Sequence, residues 1–425
     1  MPSHAAKGAT NGDCAVHYIP LSYDATNSES SALQLILALR PDWSSPDSNI
    51  EFVRFTEGIT NTLLKAVNRK KGLCQERIDR EAILLRAYGH GTDVIIDRHR
   101  ETQNHELLMK HGLAPTLLAR FENGMMYRYI EGKVCQPADL RKPAIYLAVA
   151  RRIAQWHATM PCIHEEAKRN GHDSSSSSLL ASGKPAPNTW TVMQKWINAL
   201  PTKTETQRVR QSELQKELSW LIETLSQRPG LGENGLVFAH CDLLCGNVIV
   251  EPKRPGTNGT TCEINGHGSC KNQPQHSVNF IDYEYATPSP AAFDLANHFA
   301  EWGGFDCDYS VLPTRAQRVE FIREYIHTYF SLADTSRSRE EKMVDEELEV
   351  EKLLAEVDMF RGVPGFYWGV WSLIQATISH IDFDYAQYAE VRLGEYSAWR
   401  RELDGTREGE GREMSAREKR WAQLE

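Results

Sequence analysis

The sequence predicts an α+β protein in which a small antiparallel sheet is followed by a mainly helical part. Strand-like segments are concentrated before residue 132, and helical periodicity dominates from Ala291 to Tyr396. The chain is also long enough to fold around a sizeable core, because it has 425 residues and 41% of them are apolar. Strands early and helices late are typical of a mixed small lobe joined to a helical large lobe. We therefore expect one two-lobed unit.

The small lobe is expected over residues 21–132, after a small and polar terminus at 1–20 that predicts disorder. Its strands have alternating or apolar patterns bounded by glycine, and its helix ends before Gly112. The predicted elements are strands at Ile50–Arg54, Thr60–Val67, Glu81–Ala87 and Met125–Ile130, and a helix at Asp97–His111.

The large lobe is expected over residues 133–400, with a charged tail at 401–425 that has few apolar anchors and predicts a solvated helix. Apolar residues recur at three to four positions in its first helix. Segments 171–187 and 252–275 are rich in Ser, Gly or Asn and predict loop inserts. The predicted elements are helices at Pro143–Met160 and Thr206–Leu225, and short strands at Leu236–His240, Asn247–Val250 and Val278–Ile281.

Composition excludes some classes of protein. The net charge is −9, which argues against a phosphate-coating nucleic-acid binder. No apolar run approaches the ~18–20 residues that span a bilayer, and the first 15 residues lack the apolar core of a secretion signal. The nine cysteines are irregularly spaced without a CxxC pair, as in proteins that keep reduced thiols. We expect a cytoplasmic protein without an integral membrane segment.

The segment LVFAHCDLLCGNVIV at 236–250 contains the spacing H-x-D-x4-N between two apolar strands. This spacing matches the catalytic loop of protein-kinase-like phosphotransferases. There an aspartate faces the acceptor hydroxyl, and an asparagine presents its amide oxygen to a metal ion. Asp242 and Asn247 are the candidates here, and a polar loop with an Asx turn is the alternative interpretation.

A second segment, VNFIDYEY at 278–285, ends an apolar strand in Asp282. A kinase places its metal-binding aspartate at such a strand end, and Mg²⁺ prefers hard oxygen ligands. An aspartate that caps a strand is the plain alternative. Because both motifs occur in the kinase order and each lies between apolar strands, we expect a catalytic site with Asn247 and Asp282 as metal ligands.

The nucleotide-binding residues should then lie upstream. The segment FTEGITN at 55–61 sits at the first turn of the small lobe, where backbone and side-chain groups could bind phosphate. Arg86 lies on the third strand and can bind phosphate in bidentate fashion. Lys65 competes for this role, but it lies on the second strand. The candidates are Gly58, Thr60, Asn61 and Arg86, with Glu101 as the ion-pair partner of Arg86.

Taken together, these segments resemble the choline/ethanolamine kinase family, a branch of the protein-kinase-like fold. The resemblance covers about residues 50–400. The stretches that carry it are AHCDLLCGNVI (239–249), FIDYEYATPSPAAFDLANHFAEW (280–302), FYWGVWSLIQATISHIDFDYAQYAEVRLGEY (366–396) and AILLRAYG (82–89). It implies a bilobal fold with a nucleotide-binding lobe at 21–132 and a catalytic, substrate-binding lobe at 133–400.

The resemblance also implies roles for single residues. Asp242 would be the catalytic base, ATP and Mg²⁺ would be the cofactors, and Arg86 paired with Glu101 would hold nucleotide phosphates. The segment 127–131, with Tyr129, would be the hinge over which adenine lies. Ethanolamine would be phosphorylated in the first step of the CDP-ethanolamine route to phosphatidylethanolamine. The family resemblance also allows a homodimer.

The acceptor pocket would combine one acid with aromatic faces, which is a cation–π site for an ammonium group. Glu301 would be the acid, and Glu284 and Tyr285 would line the mouth of the pocket. Without the resemblance, aromatic residues at helical spacing would more often belong to a core than to a cage. The aromatic candidates are Trp302, Trp368, Trp371, Phe383, Tyr385 and Tyr388.

Three alternatives stay open at this stage. The segments 372–392 and 306–314 look more like ethanolamine kinases, so ethanolamine is favoured, with choline as the alternative acceptor. A related aminoglycoside-type phosphotransferase is a neighbouring possibility. A kinase-fold binding protein without catalysis is the third, although intact Asp242, Asn247 and Asp282 argue against it.

Overall fold

The structure is a computed structural model that describes residues 16–55, 61–89, 95–162, 188–232, 234–252, 276–333, 339–379 and 381–425. It divides the chain into two compact units. The smaller unit contains the described residues up to Gly89 together with Pro115–Ile130. The larger unit contains the described residues between these two ranges and everything from Glu131 to Glu425. The helix predicted at 97–111 therefore groups with the larger unit, although the predicted small lobe at 21–132 includes it. The inserts predicted at 171–187 and 252–275 lie outside the described residues, except for Pro252.

The smaller unit is built on one six-stranded sheet of order β1-β5-β6-β4-β3-β2. Neighbouring strands are antiparallel except β1 and β5, which run parallel at one edge. The strands are β1 His17–Ile19, β2 Ile50–Phe55, β3 Asn61–Asn68, β4 Ile83–Tyr88, β5 Leu117–Phe121 and β6 Gly124–Arg128. The third predicted strand begins later than expected, because Gln75–Glu81 forms helix α2.

Strand β1 corrects the prediction of a disordered terminus over residues 1–20. His17, Tyr18 and Ile19 pair with Ala119–Phe121, and Ile19 is buried. The composition of the segment is polar, but one apolar side chain and the strand hydrogen bonds are sufficient to dock it. Helix α1, Ser28–Leu39, follows and contributes Leu35 and Ile36 to the core of the smaller unit.

Helices dominate the larger unit, as predicted. Its strands are short: β7 Lys133–Val134, β8 Val237–Ala239, β9 Val248–Val250, β10 Val278–Phe280 and β11 Thr287–Ser289. They form two small sheets, β10-β9-β7 and β11-β8. The helices are α3 Arg98–Lys110, α4 Pro143–Thr159, α5 Thr189–Ala199, α6 Glu205–Leu225, α7 Ala291–Ala300, α8 Arg315–Ala333, α9 Arg339–Phe360, α10 Val363–Ile378, α11 Tyr385–Leu403, α12 Thr406–Gly409 and α13 Ala416–Trp421.

Helices α10 and α11 pack closely because two glycines of α10, and Gly362 just before it, face the neighbouring helix. A Cβ atom on Gly365 would lie 2.5 Å from the backbone oxygen of Arg392, and one on Gly369 would lie 2.6 Å from Leu393. A Cβ atom on Gly362 would lie 2.2 Å from the ring of Trp399. Such distances leave no room for a methyl group without moving α11. This packing brings the tryptophans of α10 beside the tyrosines and Arg392 of α11.

The C-terminal segment differs from the predicted solvated tail at 401–425. Trp421 is 4% exposed, and its indole nitrogen donates a hydrogen bond to Asp358 at 2.7 Å. The amides of Arg315 and Ala316 donate to the carbonyls of Gln423 and Leu424 at 2.9 Å. One aromatic anchor and buried ion pairs dock a segment whose average composition is highly charged.

No helix among the described residues has the length and apolar character needed to cross a membrane.

Candidate active site

The predicted catalytic loop runs from β8 to β9 and holds Asp242 and Asn247 together. Both side chains are buried. The Asn247 amide nitrogen donates to the Asp242 backbone carbonyl at 2.8 Å and to its carboxylate at 3.1 Å. These two bonds use the nitrogen of the amide and fix the side-chain plane, so the amide oxygen is the atom left for a ligand. The arrangement fits the predicted pair of a base and a metal-binding amide.

Asp282 is joined to this loop through β9 and β10. The Ile281 amide donates to the Asn247 carbonyl at 3.1 Å, and β10 pairs antiparallel with β9. His240 adds a second link, because one ring nitrogen contacts the Ile281 carbonyl at 3.0 Å and the other accepts from the Asp242 amide at 3.3 Å. Burial lowers the pKa of His240 to about 4, so this bridge is a neutral imidazole. The structure therefore connects the two motifs that the sequence places 40 residues apart.

Helix α7 fixes the backbone of the catalytic loop through Asp294. The Asp294 carboxylate accepts hydrogen bonds from the amides of His240 at 2.9 Å and Cys241 at 2.7 Å. His157 of α4 contacts the same carboxylate at 3.0 Å. Burial acts to raise the pKa of Asp294, but the hydrogen bonds from the His157 side chain and the His240 backbone amide outweigh it and hold the pKa below its ordinary value. His157 is thus a packed structural residue.

Two further side chains of α7 reach the same loop. Asn297 donates to the Cys241 carbonyl at 3.0 Å and accepts from the Trp368 indole at 2.8 Å. His298 bonds the Leu243 carbonyl at 2.8 Å and receives the Trp302 indole N–H at 3.4 Å, a pattern that specifies a neutral ring. Burial lowers the pKa of His298 to about 4. The loop is therefore held from one helix at His240, Cys241 and Leu243.

Backbone conformation is unusual at both motifs. Cys241 has φ 62° and Asp282 has φ 65°, in the left-handed region that residues other than glycine rarely adopt. Such conformations persist where the surrounding structure over-determines them, and they cluster at active sites. Here the hydrogen bonds from Asp294 and Asn297 hold Cys241, so the next side chain, Asp242, is presented in a set direction.

The electrostatics of the site call for a cation. Burial raises the pKa of Asp242 well above its usual range, and the negative charges of Asp282, Glu301 and Glu284 raise it further. A base must be ionised to accept a proton, so positive charge has to enter before Asp242 can act. One carboxylate and one amide oxygen are donors that suit Mg²⁺. Within the described residues, no group of three or more His, Cys, Asp or Glu could hold a metal.

Several aromatic candidates for the acceptor pocket form a continuous group. The Trp371 indole donates to the Tyr285 hydroxyl at 2.8 Å, and the two α10 tryptophans, Trp368 and Trp371, lie edge to face with centroids 5.5 Å apart. Tyr285 meets Trp368 at 5.6 Å in the same manner. Trp371 meets Tyr385 at 5.8 Å. These rings are almost completely buried.

At one end, this group of aromatic side chains continues into rings that are exposed to solvent. Phe383 lies 4.8 Å from Tyr385 and 5.5 Å from Tyr388, and Phe305 lies 6.0 Å from both Phe383 and Tyr388. Phe305 is 43% exposed and Phe383 38% exposed, whereas the two tyrosines are buried. The sequence interpretation did not include Phe305. The sequence feature that could have indicated Phe305 is its position four residues after Glu301, the predicted acid of the acceptor pocket.

Trp302 does not belong to this group. It is 1% exposed and packs against Tyr146, His298 and Phe299 at centroid distances of 5.7 to 6.4 Å. This position is that of a core side chain, and the contact of Trp302 with substrate stays a prediction. The carboxylate of the preceding residue, Glu301, lies 3.4 Å from the Arg392 guanidinium.

The other predicted acids are also held by ion pairs. Glu284 is buried and accepts from Arg98 at 3.2 Å. Arg98 also donates to Glu101 at 2.9 Å, so α3 contributes one acid and one base to a buried cluster beside β11. Glu301 is almost completely buried, which raises its pKa, while the charge of Arg392 acts in the opposite direction. The pairing of Glu101 with Arg86 stays a prediction.

The nucleotide candidates of the smaller unit lie on its sheet. Arg86 is buried on β4, opposite Leu63 of β3 and Met125 of β6. Tyr129 follows β6, and its ring lies 3.9 Å from the Lys65 ammonium and 6.4 Å from the ring of Phe55. Lys65 is ion-paired with Asp79 at 3.1 Å. Asn61 begins β3, while Gly58 and Thr60 lie outside the described residues.

The residues that the sequence interpretation missed are those that position others. Asp294, Asn297 and His298 recur at positions i, i+3 and i+4 of α7, within the otherwise apolar segment AAFDLANHFA. Polar residues on one face of a buried helix are a recognisable signal, because each needs a hydrogen-bond partner. Arg392 gave no comparable signal, since its partner Glu301 is 91 residues away.

Comparisons with known proteins place this chain among relatives of one family. A family profile described as Choline/ethanolamine kinase matches residues 52–397. Ethanolamine kinase 2 of Homo sapiens is 32% identical over 388 residues, which cover 90% of this chain and 84% of that protein. Ethanolamine kinase 1 of Mus musculus is 33% identical over 86% of this chain and 87% of the relative. A probable ethanolamine kinase of Nematostella vectensis is 32% identical over 90% and 96%.

Solved structures confirm the predicted protein-kinase-like fold. An ethanolamine kinase of Plasmodium vivax superposes with a TM-score of 0.64 and 22% identity, over 88% of this chain and 89% of the other. A choline kinase of Cryptosporidium parvum gives 0.60 and 19% identity, over 89% and 97%. At these identities the likeness establishes the shared fold.

Proposed function

The chain belongs to the choline/ethanolamine kinase family, and on that premise we propose that it transfers the γ-phosphoryl group of ATP to the hydroxyl of ethanolamine. The products are phosphoethanolamine and ADP. The observation that carries the proposal is the joined arrangement of Asp242, Asn247 and Asp282, within a chain whose relatives are named ethanolamine kinases. Such a reaction supplies the first step of the CDP-ethanolamine route to phosphatidylethanolamine.

Asp242 orients the ethanolamine hydroxyl and accepts its proton as the oxygen attacks the γ-phosphorus atom. Its direction is set by the bond from Asn247 and by the strained residue before it. Phosphoryl transfer relies mainly on positioning and charge neutralisation, so a rigid loop is suited to the task.

Asn247 and Asp282 would hold Mg²⁺, which neutralises phosphate charge when it is bound. The surplus of carboxylates around Asp242 supports this assignment. In the smaller unit, Gly58, Thr60, Asn61, Arg86 and Tyr129 are the residues proposed to bind ATP. Arg86 supplies a buried guanidinium on β4, which suits phosphate oxygens.

The ammonium end of the acceptor is proposed to bind Glu301 and the rings of Tyr285, Trp368, Trp371, Tyr385 and Tyr388. An ammonium group gains from a buried carboxylate and from aromatic faces. Ethanolamine brings three N–H donors, so it can use oxygen acceptors that choline cannot. The named relatives favour ethanolamine, and choline is the alternative acceptor. The cytoplasmic location and the homodimer stay predictions from the sequence.

Purified full-length chain incubated with ATP, MgCl₂ and ethanolamine tests the proposal. We expect ADP and phosphoethanolamine in equal amounts, identified by ³¹P NMR and mass spectrometry. Removal of Mg²⁺ by EDTA should abolish the product, and excess Mg²⁺ should restore it. A chain that binds ATP but forms no phosphorylated amino alcohol would support the alternative of a kinase-fold binding protein. Phosphorylation of an aminoglycoside in preference to either amino alcohol would support the neighbouring phosphotransferase activity.

A further inference from the structure

A buried row of alternating charges connects Glu301 to the C-terminal segment. The Arg392 guanidinium lies 3.4 Å from Glu301 and 3.5 Å from Glu395, one turn further along α11. Arg417 of α13 lies 3.8 Å from the same Glu395 oxygen. The four side chains are between 1% and 7% exposed. We call this row, Glu301–Arg392–Glu395–Arg417, the charge relay.

The charge relay is electrically balanced, with two acids and two bases. Buried charges are tolerated when each has an opposite neighbour, and removal of one member leaves another uncompensated. Because solvent is excluded from the row, a change of charge at one position acts on its neighbours with little screening. A charge altered at Glu395 therefore reaches Glu301 through Arg392.

The far end of the charge relay is fixed by the docked C-terminal segment. Arg417 donates to Glu418 at 3.0 Å and to the Arg361 carbonyl at 2.5 Å. Arg361 binds Glu418 in turn, with both nitrogens 2.7 Å from the carboxylate. The Arg417 guanidinium also lies 5.7 Å from the centre of the Trp421 ring. Arg417 is thus held from three sides, in a segment that lies beyond the family match ending at residue 397.

We propose that the C-terminal segment 404–425 positions the acceptor carboxylate Glu301 through the charge relay, with Arg417, Glu395 and Arg392 as positioning residues. This inference rests on the proposed function, in which Glu301 binds the ammonium group. The positive charge of Arg392 favours the ionised form of Glu301 and holds its carboxylate in one orientation. Glu395 shares Arg392 with Glu301, so that Glu301 retains capacity for the substrate, and Arg417 balances Glu395.

The alternation of acids and bases in the charge relay predicts that a second substitution can offset the effect of a first. In Glu395→Gln, Glu301 becomes the only acid of the row that pairs with Arg392. The row then carries one unbalanced positive charge near the proposed ammonium site, so ammonium binding weakens. Arg417→Gln in the Glu395→Gln chain removes that surplus charge. A second substitution at Arg417, 22 residues further along the chain, would then improve substrate binding, which loss of packing alone does not do.

The test measures the KM for ethanolamine and the KM for ATP of the full-length chain and its variants. We expect Glu395→Gln to raise the KM for ethanolamine about tenfold and to change the KM for ATP less than twofold. The double variant Glu395→Gln with Arg417→Gln should return the KM for ethanolamine to within about threefold of the unchanged chain. The matched control is Glu395→Gln with Arg412→Gln, because Arg412 pairs with Glu410 at an exposed site. This control should restore nothing.

The outcomes separate the charge relay from the proposed function. If the unchanged chain phosphorylates ethanolamine but the double variant is no better than Glu395→Gln, the charge relay is refuted and the function stands. Equal increases in both KM values would also refute it. If the unchanged chain uses only choline, the same comparison is made with choline, whose ammonium group would meet the same carboxylate. If Glu395→Gln does not fold, a double variant that folds with a KM near that of the unchanged chain still supports the charge relay, and one with a KM raised tenfold overturns it.

Discussion

The catalytic loop and the acceptor end of the larger unit are held by different kinds of interaction. The loop is fixed at His240 and Cys241 by backbone hydrogen bonds of 2.7 to 2.9 Å to one buried carboxylate. The acceptor end is built from ring contacts and from ion pairs of 3.4 to 3.8 Å. Short hydrogen bonds to backbone permit almost no adjustment, whereas rings and side-chain pairs can shift together. We therefore expect phosphoryl transfer to depend on the rigid loop, and the choice of acceptor to depend on side chains that can adjust.

The difference has a consequence for substitutions. A change in the loop should reduce turnover with little effect on substrate binding, because its groups act on the reacting atoms. A change at the acceptor end should alter mainly the KM for the amino alcohol. The predictions below test this division in order of decreasing effect.

Asp242→Asn should reduce kcat by about 10²- to 10⁴-fold, since the amide cannot accept the hydroxyl proton. The KM values for ATP and ethanolamine should change little. Steady-state kinetics with both substrates provide the measurement, with Asp404→Asn as a control in which an exposed acid becomes an amide. Near-normal turnover in Asp242→Asn would remove the base from the mechanism.

Acid should destabilise the loop support through His240 and His298. Their pKa values are about 4 when folded and about 6.5 in an unfolded chain, so the unfolded state binds more protons as the pH falls below 6.5. The stabilisation is complete above pH 6.5 and decreases toward pH 4. Between pH 7 and pH 5 each histidine should lower the free energy of unfolding by about 2 kcal/mol. Urea unfolding at the two pH values measures this change. In His298→Gln, the free energy of unfolding should decrease between the two pH values by about 2 kcal/mol less than in the unchanged chain. A decrease equal to that of the unchanged chain would contradict the assignment of a neutral His298.

Glu301→Gln should raise the KM for ethanolamine about tenfold, because a charge-assisted contact to the ammonium group is lost. The kcat at saturating ethanolamine should fall less than threefold. Glu390→Gln on α11 is the matched control, since that acid is exposed and paired with Arg210. An unchanged KM in Glu301→Gln would place the ammonium site elsewhere.

Trp371→Phe should have the smallest effect. The phenyl ring keeps an aromatic face but cannot donate to the Tyr285 hydroxyl, which costs about 0.5–1.5 kcal/mol. The KM for ethanolamine should rise about two- to tenfold. The control is Trp220→Phe, whose ring packs under Arg400 on another surface. A larger loss in kcat than in KM would break the division between the two regions.

Much of the architecture could be predicted because its signals are local. Apolar periodicity located α4, and its end at Thr159 lies one residue before the predicted one. The spacing of Asp242 and Asn247 is a property of one short loop, so it was readable without the fold. The strand that contains Arg86 was predicted to begin too early, since Gln75–Glu81 is helical and the strand begins at Ile83.

What could not be predicted depends on partners that are distant in sequence. Trp302 and Trp371 looked equivalent as aromatic residues, but one faces a core and the other faces Tyr285. Average composition marked 401–425 as a solvated tail, although a single tryptophan, Trp421, anchors it. Arg392 contacts Glu301 across 91 residues of sequence, and no local pattern reports that contact.

The most direct test of the central claim is the ratio of kcat/KM for ethanolamine to kcat/KM for choline, measured on the full-length chain with ATP and Mg²⁺. We predict a ratio well above one, and we predict that Glu301→Gln reduces it, because a carboxylate that accepts N–H donors favours the primary ammonium group. A ratio below one would contradict the assignment of ethanolamine as the preferred acceptor.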